Sequence, residues 1–309
     1  MDQWTGPTYY NRPQLKAAPF DKFLVGGYVF LAGLSGGAQL LSTLLDFTRG
    51  RKAKDVVQRG RQLALLAPTV GSAMLVADLH TPKRFYNMLR VAKHTSPMSI
   101  GTWILMSFSG FSGVTAATDF IANRVPGLRW LRRGARVAQV PAAVAGAGLG
   151  TYTASLLSAT STPLWAAAPR ALAVRFAASS VASAAAAMSL LTRDHELRRD
   201  LDTVCAGALA VEVAATVAAD ETYRKTGVDQ ALKSISGQLD TLGAFDLGTV
   251  VPLGLLTFGL LHGGRSRPLS SMASLAVLGG SLAMRIAVIG SGDVSASRPD
   301  ISLRFMQKR

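Results

Sequence analysis

Eight apolar runs, each close to the length that crosses a bilayer as a helix, constrain the fold of this chain most. Crossing about 30 Å of hydrocarbon takes roughly 20 apolar residues at helical rise. Runs near that length occupy residues 23–46, 62–78, 99–121, 136–158, 164–191, 202–219, 245–262 and 269–290. None alternates apolar and polar residues with the period of a barrel strand, so an all-α integral membrane protein of about eight transmembrane helices is expected. Small residues such as Gly33, Gly36 and Gly37, or the stretch from Ala182 to Ala187, let helix backbones approach closely in lipid and point to a packed bundle.

Composition enters where charge has to be explained. Only 17% of the residues are charged, yet the net charge is +15. On a soluble protein that balance would suggest nucleic acid. Here Lys and Arg cluster between the apolar runs, which makes the excess a matter of membrane topology, and no nucleic-acid partner is expected. Arg49, Arg51, Lys52, Lys54, Arg59 and Arg61 follow the first run; Arg124, Arg129, Arg132, Arg133 and Arg136 the third; Arg193, Arg198 and Arg199 the fifth; Arg265 and Arg267 the seventh. The alternate loops hold fewer: Lys83, Arg84, Arg90 and Lys93, then Arg170, then Arg224, Lys225 and Lys233. The denser side is expected to be cytoplasmic, which puts both termini and the loop of residues 79–98 on the outer, periplasmic side of a bacterial inner membrane. The N-terminus carries Asp2, Gln3, Trp4, Tyr9 and Tyr10 where a signal peptide would carry a basic patch and an apolar core, so no signal peptide is expected.

Redox groups held by this chain itself are limited by its ligands. Cys205 is the one cysteine, which excludes an internal disulfide, a four-cysteine cluster and a structural zinc site; it is expected to pack as a small apolar residue. His80, His94, His195 and His262 all fall in loops or at helix ends, so no facing pair for haem is expected, and no metal site.

Charges inside apolar runs are costly and mark function or pairing. Glu212 lies about eleven residues into the sixth run, roughly 16 Å along a helix. Arg175 lies at a similar depth if the fifth helix starts at Leu164, so the two are expected to be neighbours, and Arg285 to sit nearer the outer end of the last helix. These three form either an ion pair that locks helices or a proton relay.

The stretch Asp78-Leu79-His80-Thr81-Pro82-Lys83-Arg84-Phe85-Tyr86-Asn87-Met88-Leu89-Arg90, continuing through Ser96-Pro97-Met98-Ser99-Ile100-Gly101-Thr102-Trp103, is the richest in chemistry. A carboxylate ends the second helix, a basic and aromatic loop follows, and Ser96-Pro97 cap and open the third helix. With Tyr9-Tyr10-Asn11-Arg12-Pro13, Tyr28-Val29-Phe30-Leu31-Ala32-Gly33-Leu34-Ser35-Gly36-Gly37 and Tyr152-Thr153-Ala154-Ser155-Leu156-Leu157-Ser158-Ala159-Thr160-Ser161-Thr162-Pro163-Leu164-Trp165, this loop resembles the membrane subunit of the polysulfide reductase (NrfD-like) family. The likeness covers roughly residues 9–190, and beyond 200 it is one of hydropathy.

The resemblance implies two four-helix bundles, here residues 23–160 and 161–290, flanked by an outer segment 1–22 and an outer tail 291–309. It implies a subunit that binds no haem and exchanges electrons between a quinone pool, menaquinone or ubiquinone, and an iron–sulfur subunit docked on one face. That partner would pass electrons to or from a molybdenum enzyme or a multihaem cytochrome. The quinone pocket is implied near the docked face among the first four helices, which makes Asp78 and Tyr152 the leading candidates, with His80, Met98 and Trp103 beside them. A phenol can hydrogen-bond quinone or hydroquinone, and a carboxylate can take up a proton. His80 could relay protons, but it stands where the family more often has a small residue. Lys83, Arg84 and Arg90 are expected to meet an acidic partner surface or lipid phosphate. Two other classes are weighed against this one: a secondary transporter, which should show repeated halves with broken helices, and a structural anchor without quinone binding.

Overall fold

The computed structural model describes residues 15–18, 21–79, 81–128, 130–263 and 266–307, and among them every regular element is helical. α1 (Lys22–Thr48) starts where the Asp21 carboxylate accepts the N–H groups of Phe23 and Leu24 at 2.8 and 2.9 Å, satisfying donors that the first turn leaves free. α2 (Lys54–Ala77) ends at Asp78, and the chain then passes through a short 3₁₀ turn and α3 (Asn87–Arg90). α4 (Pro97–Arg124) opens with Pro97 behind a Ser96 cap, as its sequence predicts. α5 (Leu131–Ser158) returns to the face from which α4 started.

α6 (Pro163–Ala167) and α7 (Pro169–Leu191) replace the single helix expected from residue 164. Pro169 disfavours helical geometry at Ala168, whose φ of −131° and ψ of 59° break the run. α8 (His195–Thr226) is capped by Asp194 and stopped by Gly227 at φ 77°, a left-handed geometry that glycine adopts freely. α9 (Ile235–Leu261) is one span whose turns widen to π geometry over Leu239–Val250. α10 (Arg267–Ser297) runs past the expected end at residue 290, so the expected outer tail is partly helix, followed by α11 (Pro299–Gln307).

Seven of these helices are long and apolar enough to cross a bilayer, and α2 with the Pro82–Arg90 segment, bent 119° from it, gives an eighth. The runs 62–78, 202–219 and 245–262 are parts of longer helices because charged or polar end turns continue the backbone pattern beyond the apolar core.

α1 is the centre of the packing, in contact with α2, α5, α7 and α10, and α5 also packs against α7. Its small-residue stripe makes this possible. A Cβ at Gly36 would overlap the Gly146 carbonyl of α5, so the two backbones meet with no side chain between them. Trp165 of α6 is fully buried and donates its indole N–H to the Val288 carbonyl at 2.8 Å. Cys205 is buried against α7, its thiol toward the Ala182 carbonyl at 3.5 Å.

Candidate functional site

Four helix ends converge on the face that carries the 79–98 loop: the start of α1, the end of α2, the start of α4 and the end of α5. Asp78 is the C-cap of α2, half-buried, its N–H bonded to the Met74 carbonyl at 3.0 Å. Tyr152 lies six residues before the end of α5 and Tyr28 six residues after the start of α1, each about 9 Å below the helix ends. Equal depth on facing helices brings the groups together. Tyr28 lies within electrostatic range of both Asp78 and Tyr152, so two phenols and a carboxylate from three helices lie near one another at this surface. Sequence reasoning singled out Asp78 and Tyr152 but quoted Tyr28 only as the first residue of a motif; its position at that motif's outer end was the signal.

α4 closes the site through Gly101. Any Cβ there would overlap the Tyr152 ring, whose hydroxyl donates to the Pro97 carbonyl one turn earlier. The glycine thus fixes where the phenol sits. Trp103 is 41% exposed, and its indole N–H donates to the Val91 carbonyl at 3.2 Å, pinning the loop to α4. Met98 is 59% exposed at the rim. Lys83, Arg84 and Arg90 are exposed on the loop beside Phe85 and Tyr86, whose rings meet edge to face at 6.4 Å. His80 and the Tyr9–Pro13 motif lie outside the described residues.

The intramembrane charges differ from the expectation in the depth of Arg175 and in its ion-pair partner, while Glu212 lies within its electrostatic range. Because α7 restarts at Pro169, Arg175 is only about 9 Å from its end instead of at mid-depth. Its ion-pair partner is Asp240 of α9, in a two-pronged bond of 2.9 and 2.6 Å. Asp240 was missed because the apolar run was read from residue 245, whereas the span begins a full ten residues earlier. Glu212 sits deeper, within electrostatic range of Arg175, Arg285 and Asp240 and beside Ser179. Arg285 is 1% exposed and lies at a depth close to that of Glu212. Its Nη1 donates to the Ser281 carbonyl and hydroxyl at 2.8 and 2.6 Å, and its Nη2 to Ser180 at 3.0 Å. The Phe30 and Phe176 rings flank it at 5.9 and 5.4 Å.

At the opposite membrane face a second polar network ties the first-half helices together. Buried Arg61 reaches Asp119 at 3.1 Å and Gln139 at 2.6 Å, and Gln139 donates to Asp46 at 2.9 Å. Arg136 adds a 3.2 Å bond to the same Asp46 carboxylate. α1, α2, α4 and α5 each contribute one or more groups, so this end is stapled while the end at Asp78 keeps its titratable groups close to the surface.

Comparison with known proteins gives two matches. The family model described as "Polysulphide reductase, NrfD" matches residues 13–294. One of the polypeptides of the Wolinella succinogenes polysulfide reductase is 29% identical over 84 residues, a match that spans 26% of the present sequence and 26% of the relative.

Proposed function

Since the chain belongs to the polysulphide reductase NrfD family and is a multi-pass inner-membrane protein, we propose that it is the quinone-reactive membrane subunit of a respiratory oxidoreductase. The observation that carries this reading is the convergence of Tyr28, Asp78 and Tyr152 from α1, α2 and α5 at one membrane surface. The residues suit the group. A quinone, when bound, supplies two-electron chemistry coupled to two protons. Tyr28 can donate a hydrogen bond to the quinone and accept one from the hydroquinone, and Tyr152, whose O–H is given to the Pro97 carbonyl, can accept one from the hydroquinone. Asp78, at the wet end of α2, can exchange protons with the surface through the neighbouring loop. The absence of a Cβ at Gly101 leaves the space that the Tyr152 ring occupies between α4 and α5.

The basic loop supplies a docking face. Lys83, Arg84 and Arg90 stand exposed next to the site, and we read them as attracting the acidic surface of an iron–sulfur partner or lipid phosphate. The Lys and Arg excess on the opposite face orients the loop and both termini outward. We further read Glu212 as a proton-exchanging group, with Arg285 holding its charge and Arg175 committed to Asp240.

The test is turnover of quinol by the complex purified through a tag on this chain. Asp78→Asn is expected to slow it by about 100-fold, within the range for losing a general acid or base, while the subunit content is unchanged. Wild-type activity in Asp78→Asn and Tyr152→Phe alike would refute the assignment.

A further inference from the structure

A groove of about 890 Å³ runs between α4 and α5 and opens on the flank of the bundle. Ile100, Trp103 and Ile104 form one wall; Val140, Val144 and Gly148 form the other. The α5 positions recur every three or four residues, so they lie on one stripe of that helix, and the next position on the stripe is Tyr152. The α4 stripe begins beside Gly101, the residue that the Tyr152 ring covers. Ala92, Lys93 and His94 line the groove where it meets the loop, and Tyr152 stands one helical turn beyond Gly148 on the same stripe. Along α5 it extends about 18 Å from Val140 to Tyr152, long enough for several isoprene units. Its lip is built: the Ser99 hydroxyl donates to the Val91 carbonyl at 2.7 Å and accepts the Lys93 N–H at 2.9 Å. No other described element of the chain fills it, and Val144 on the α5 wall is 71% exposed.

We propose that this groove seats the isoprenoid tail of the quinone whose ring meets Tyr152, making the site selective for long-tailed quinones. The inference rests on the quinone reading above and adds the substrate feature that selects among quinones. Continuity favours this occupant: a hydrocarbon tail attached to a ring at Tyr152 would have the stripe as its path.

The experiment compares naphthoquinones and benzoquinones, each without a tail and with a four-isoprene tail. Their Kd is measured by equilibrium dialysis against the tag-purified complex in nanodiscs, with the retained phospholipid and subunits analysed in parallel. Val144→Trp fills the groove; Ala145→Leu does so more gently and serves if the first variant misfolds; Val174→Trp is an exposed apolar control on α7. The groove variants are expected to raise the ratio of long-tailed to tail-less Kd about tenfold, as for losing the burial of roughly two methylene groups. The control should leave the ratio where it was. An unchanged ratio in the groove variants overturns the proposal, as does loss of a bound phospholipid or a partner subunit with the ratio intact. If the wild-type complex binds neither ring with or without a tail, the quinone reading itself fails.

Discussion

Placing a methyl group at Gly101 tests the geometry of the site with the smallest possible change. A Cβ there overlaps the far end of the Tyr152 ring, so the ring has to swing or α4 has to move. The ring swings, because it is held at that end by one hydroxyl bond to Pro97, whereas α4 is fixed to α5 along its length. Gly101→Ala therefore costs the Tyr152–Pro97 hydrogen bond and some repacking, about 1 to 2 kcal/mol of stability. A functional cost comes on top of the structural one, since the phenol moves away from its place near Tyr28 and Asp78. Loss of one hydrogen bond to a quinone oxygen, at about 1 kcal/mol, should weaken binding by roughly fivefold. Thermal unfolding and quinone Kd of Gly101→Ala, Tyr152→Ala and the double variant form a cycle. Removing the ring should abolish the destabilisation by Gly101→Ala, with a coupling energy equal to it, about 1 to 2 kcal/mol. A Gly101→Ala protein with unchanged melting and unchanged quinone Kd would refute the argument, and additive effects in the cycle would show that the methyl acts elsewhere.

Two other changes have worked-out outcomes. Arg175→Ala leaves the largely buried Asp240 carboxylate without its partner and should cost about 3–5 kcal/mol, seen as a clear fall in melting temperature. The double change Arg175→Met with Asp240→Leu should recover most of that loss, and equal destabilisation of single and double variants would contradict the pairing. Reversing Lys83, Arg84 and Arg90 to Glu should slow association with the electron-transfer partner at low salt and have little effect at high salt, measured as an association rate across ionic strength. A rate independent of both charge and salt would remove the loop from the docking face.

Much of this organisation is legible in the sequence for identifiable reasons. Apolar length marks the spans, because the bilayer imposes it. Asp78 and Tyr152 are legible as a pair because helix ends alternate between faces, so residues near the end of α2 and the end of α5 share a surface. The errors come from helix ends, which hydropathy does not define. Reading a helix start at Leu164 instead of Pro169 moved Arg175 deeper by more than a turn, although Glu212 does lie within its electrostatic range. Reading α9 from 245 instead of Ile235 hid Asp240, whose partner it is. Tyr28 and Gly101 escaped for another reason: an aromatic and a glycine near helix ends look the same whether they anchor, pack or shape a site. Their roles emerge only when two helices are laid side by side.

The central place of α1 has a mechanical consequence. This helix carries Tyr28 near one end, while Gly33 and Phe30 further along wall in the Arg285 guanidinium of α10. The two halves of the protein therefore do not part as separable cartridges at residues 159–168. Withdrawing the first half would strip one wall from a fully buried cation and turn it toward hydrocarbon. α1 acts as a common spindle: a tilt that opens the rim at Tyr28 also loosens the seat of Arg285, so events at the surface and charge rearrangements in the interior share one moving part.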